Sequence, residues 1–135
     1  MIIVALAVLG LLGILGGVLA ARSGAKLSQA APSAAFATRL RLARLSGYAL
    51  AVATWPLTGL MSYSYVDDVG RSGRVAGVPF MAAYFNSHGH DFVGPMTIVG
   101  LIGNAVFWGL LPRLAVVSFA LVAQRWRPRS PPGDS

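Results

Sequence analysis

PMTIVGLIGNAVFWGLLPRLAVVSFALV, residues 95–122, is the run from which the rest of the chain takes its meaning. No charged side chain lies between Asp91 and Arg113, a stretch of about 21 residues. As a helix, that is enough to cross a hydrocarbon core of about 30 Å. Pro95 fits the first helical position, where its missing N–H costs nothing. Gly100, Gly103, Ala105 and Gly109 offer small faces for close helix packing, where contact is van der Waals in origin. Asn104 lies about ten residues in, or about 15 Å at 1.5 Å per residue, near the midplane of a span. An amide at that depth needs a partner, and a neighbouring helix is the expected one.

Pro112-Arg113 interrupts the run, and the apolar residues resume to Val122 before Arg125. If Arg125 marked the boundary, Arg113 would lie about 18 Å inside the hydrocarbon, which is costly for an unpaired guanidinium. The sequence therefore predicts a span over 95–113. A kinked or interfacial helical continuation follows over 114–124, with one steeply tilted span as the other arrangement. Residues 125–135 carry three arginines, three prolines and no apolar run, and read as a disordered basic tail.

Two further apolar runs precede this one. Residues 1–21 contain no charged side chain, and Arg22 and Lys26 follow them. A cleaved signal peptide would have its basic residues first, so an uncleaved helix is expected. Gly13 and Gly17 form a small-residue pair that lets two helix backbones approach. Residues 45–66 form the third candidate span, with tyrosines near both ends, Pro56 as a kink, and Thr54, Thr58 and Ser62 on one face. Residues 22–44 between these runs read as an alanine- and serine-rich loop, with a helix beginning near Ser33.

Composition supports the same class. The 135 residues are 56% hydrophobic and 11% charged, and the mean hydropathy is +0.67. Soluble domains carry about 25% charged residues, so this chain cannot clothe a water-facing surface. The net charge of +7 sits at the ends of the apolar runs rather than on a basic helix face, which argues against a nucleic-acid partner. The absence of cysteine excludes disulfides, thiolate metal sites and cysteine nucleophiles. Arginine outnumbers lysine heavily, a compositional hint of a GC-rich bacterial genome.

The loops differ in charge. Residues 22–44 hold five bases and no acid, whereas residues 67–94 hold Asp67, Asp68 and Asp91 against Arg71 and Arg74. Basic loops stay cytoplasmic. The expected fold is thus an all-α membrane protein of three transmembrane helices, amino terminus outside and carboxyl terminus inside, in a bacterial inner membrane. Residues 78–85 are apolar but too short to span, and read as a segment in the outer interface or tucked against the bundle.

One cluster has ligand chemistry. His88, His90 and Asp91 could offer two imidazoles and a carboxylate to zinc or copper, although a polar turn leading into a helix is the favoured reading of them. The cofactor, if any, is unknown, with a metal on these residues as the candidate. Three functions follow. The first is an accessory subunit, packed through its glycine-rich faces against a larger membrane protein or a second copy of itself. The second is a metal- or redox-linked protein using the histidines. The third is a small homo-oligomeric channel or transporter lined by Thr54, Thr58, Ser62 and Asn104. No nucleophile–base pair or phosphate loop points to an enzyme.

Overall fold

The computed structural model describes residues 2–30, 33–66, 70, 72–86, 91–92 and 96–126. Three long helices carry a small sheet: α1 Ile2–Ala30, α2 Ala34–Leu57, β1 Ser62–Val66, β2 Ser72–Ala76, β3 Ala83–Asn86, β4 Asp91–Phe92 and α3 Met96–Arg125. The strands form one antiparallel meander in the order β1-β2-β3-β4. The all-α expectation is therefore corrected: the segment between the second and third apolar runs pairs its backbone as a sheet.

α3 is the central helix. α1 packs on one side of it and α2 on the other, and α1 and α2 scarcely touch. Along the first seam, Gly13 faces Phe107, Gly17 faces Leu110 and Gly24 faces Val117, so α1 and α3 run parallel. Along the second, Gly47 and Ala51 both lie against Gly109, and the chain direction of α2 is reversed. The sheet joins the end of α2 to the start of α3, at the same end of the bundle as residue 2.

Four boundaries differ from expectation. α1 continues nine residues past Ala21, and α2 already starts at Ala34, so the loop expected over 22–44 is mostly helix. Its alanine, leucine and arginine content explains this, since these are strong helix formers. Ser33 is the residue before α2, and its carbonyl accepts from the Ala37 amide, but its hydroxyl makes no cap bond. The run 45–66 is not one helix. α2 ends at Leu57, one residue after Pro56, which cannot donate to the preceding turn. Two tight turns follow, and Ser62–Val66 is strand. Finally, α3 is continuous through Pro112 to Arg125.

The buried apolar side chains are few and mostly small: Ala20, Ala43, Val75, Ala76, Ala82 and Val117. Large apolar groups point outward instead, among them Val4, Leu11, Leu15, Val52, Trp55 and Ile98. Such extended apolar exposure is foreign to soluble monomers. Ile2–Leu27 and Thr97–Gln124 are each long and apolar enough to cross a membrane.

Candidate functional site

The most elaborate arrangement in the molecule is where the β2–β3 hairpin enters the helices. Ala76 pairs with Ala83, and the six residues between them form the tip. Gly77 turns the chain with φ of +101°, a left-handed conformation that glycine adopts without strain. A Cβ there would meet the Phe80 carbonyl, the Asn104 amide and the Ala82 amide at 2.5–3.0 Å. The Gly77 amide donates to the Met61 carbonyl and the Ala82 amide to the Ala76 carbonyl, both at 2.8 Å, so the neck of the tip is closed. The Val78–Pro79 peptide bond is cis.

Pro79 and Phe80 fill the space over Gly10 of α1, and the Phe80 ring also covers Gly103 of α3. Gly100 meets the backbone at Met81 and Ala82. Any larger residue at these glycines would occupy the volume that the tip needs. The segment 78–82 is thus tucked between α1 and α3, whereas 83–86 is strand β3.

Non-helical backbone so placed must satisfy its polar groups within the protein. Asn104 does this for Phe80 completely. The Phe80 amide donates to Asn104 Oδ1, and Asn104 Nδ2 donates to the Phe80 carbonyl, both at 2.8 Å. The side-chain amide of Asn104 is fully buried and mimics the strand partner that the peptide would have in a sheet. One turn further on, Trp108 Nε1 donates to the Val78 carbonyl at 2.8 Å. Asn104 is eight residues beyond Met96, so the tip reaches about 12 Å down the bundle.

The expected helix partner for Asn104 is therefore replaced by a hairpin peptide. Gly13, Gly17, Gly100, Gly103 and Gly109 all sit in close contacts with other elements of the chain. Gly47, Phe80 and Trp108 were not legible as part of the site. The Gly77-Val78-Pro79 turn signal and a glycine in the middle of α2 were the available hints.

The hydroxyls of Thr54, Thr58 and Ser62 bond separately. Thr54 donates to the Leu50 carbonyl at 2.7 Å and Thr58 to the Thr54 carbonyl at 2.6 Å, each one turn back on the same helix. Ser62 instead accepts from Arg74 Nε at 2.6 Å, while Arg74 Nη2 donates to the Gly59 carbonyl at 3.1 Å. Arg74 thereby ties the sheet to the end of α2. Burial at the base of β1 pushes the Tyr63 phenol above its ordinary value of 10.0.

His88 and His90 lie outside the described residues, and of Asp91 only the backbone is described, in register with Phe85. Among the described residues no group of three or more metal-ligating side chains comes together. Toward the opposite end of the bundle from the sheet lie Arg22 and Lys26 of α1 and Arg39, Arg41 and Arg44 of α2, while Arg113 lies on the Arg44 groove well before α3 ends at Arg125.

No protein-family model matches the chain, and comparison with curated proteins and with solved structures gave no match.

Proposed function

We propose that the chain is a three-span protein of a bacterial inner membrane, amino terminus outside and carboxyl terminus inside, acting as a small accessory subunit of a larger membrane complex. The charge layout supports the topology. Each helix brings its basic residues to one end of the bundle, and three of the four acids belong to the sheet-bearing segment at the other. Leu45–Leu57 provides only about 20 Å of uncharged helix, so Arg44 and Arg41 reach the cytoplasmic headgroups along their own aliphatic stems.

The observation that carries the accessory role is the outward ridge at the end of α2 and the turn after it. Among the described residues, Val52 and Trp55 of α2 and Leu60 of the turn are each more than 70% exposed, and Gly59 beside them has open space around it. The glycine faces are already filled from within, so this ridge, and not those faces, is where a partner helix seats. The interior polar groups are committed to backbone, which leaves contact rather than transport as the function the arrangement serves.

The test is purification from native membranes in mild detergent with a photo-crosslinker at position 55. A discrete crosslinked partner, lost on Leu60→Ala, is the expected result. Migration as a lone monomer with no adduct refutes the accessory role. Because the chain has no cysteine, single cysteines at Lys26 and Ser64 also report sidedness. An impermeant maleimide should label only the second from outside the cell.

A further inference from the structure

We propose that the groove between α2 and α3 at the arginine end holds one anionic phospholipid, its phosphate between Arg44 and Arg113. Arg44 and Arg113 both belong to the lining of one groove of about 300 Å³, with Tyr48 beside them. Gly47 and Gly109 also line it, and it runs on to Val106. Along α3 the distance from Arg113 to Val106 is about 10 Å. One end is therefore cationic and the remainder is apolar, which is the polarity of a lipid headgroup joined to the start of an acyl chain.

Charge complementarity identifies the occupant. Arg113 is half-buried, and among the described residues neither it nor Arg44 has a carboxylate partner. The sequence supplies only four acids, Asp67, Asp68, Asp91 and Asp134, and the first three belong to the segment at the far end of the bundle. Two guanidiniums sharing a groove repel each other unless an anion lies between them. Phosphate accepts paired hydrogen bonds from each planar fork, and basic pockets between spans on the cytoplasmic side recognise anionic headgroups in this manner. The glycines matter again: a Cβ at Gly47 would strike the Gly109 carbonyl and one at Gly109 would press on Ala51, so a side chain at either would part the helices that wall the groove.

The site rests on the membrane-spanning reading, so both are tested on the same full-length material. Alkaline extraction of membranes comes first; release of the protein refutes the spanning reading and the site together. Native mass spectrometry then compares phosphatidylglycerol with phosphatidylcholine of matched chains. The wild type should retain the anionic lipid preferentially, and Arg44→Gln with Arg113→Gln should lower retention by roughly tenfold or more, as expected for two lost charged hydrogen bonds. Arg22→Gln with Lys26→Gln, an equal loss of charge outside the groove, should leave retention near wild type. Circular dichroism checks that each variant is folded, and Arg44→Gln alone, at an exposed position, replaces the pair if it is not. Equal binding of both lipids, equal loss in the control pair, or displacement of the lipid by inorganic phosphate would each overturn the site.

Discussion

The two ends of the bundle solve opposite problems. At the sheet end, a hairpin tip is driven between α1 and α3; Asn104 meets both polar groups of Phe80, Trp108 meets the Val78 carbonyl, and backbone carbonyls meet the Gly77 and Ala82 amides. At the arginine end, α2 and α3 meet at Gly47 and Gly109 and leave a groove with unpartnered cations beside it. The same device, glycine in a helix, serves both. At one end it admits another part of the chain; at the other it brings two backbones together and leaves room for something else.

The sharpest way to break this contrast is Asn104→Leu. It leaves a buried amide and a buried carbonyl at Phe80 without partners, at about 1–3 kcal/mol each. The unfolding midpoint in detergent should fall accordingly, and the tip should become open to proteolysis; an unchanged midpoint would mean that the clamp is idle. Gly47→Val comes next. Its side chain would collide with the Gly109 carbonyl, an overpacking cost of about 1–3 kcal/mol that should loosen α2 while leaving the tip protected. Trp108→Phe removes one donor and should cost about 1 kcal/mol, read as a smaller shift of the same midpoint than Asn104→Leu gives. Thr54→Val should lie within about 0.5 kcal/mol of wild type, because its hydroxyl only repeats a bond to its own helix. A large effect there, or on flux through proteoliposomes, would restore the hydroxyl face as a polar pathway.

The sequence was legible where composition was uniform over many residues. The apolar character of α1 and α3, and the need of Asn104 for a partner, followed from runs long enough to average out local signals. The sheet was not legible, because its strands are five, five, four and two residues long. Ser62-Tyr63-Ser64-Tyr65 does alternate with the period of a strand, but the same tyrosines suit the aromatic belt of a span. Pro56 was the local sign that α2 would stop, and it reads as a kink when the apolar run continues beyond it. The partner of Asn104 was hidden for another reason: Phe80 is 24 residues away, and no periodic pattern links an amide to a peptide at that separation.

That α1 and α2 both rest on α3 and hardly on each other has a consequence for biogenesis. Of these three helices, the last to be synthesised is the one on which the first two rest. Until it is made, the hairpin tip has no Asn104 to receive it and the earlier helices have no common seam. A nascent chain arrested before Met96 should therefore be exposed to membrane proteases, and release of the arrest should protect all three helices together.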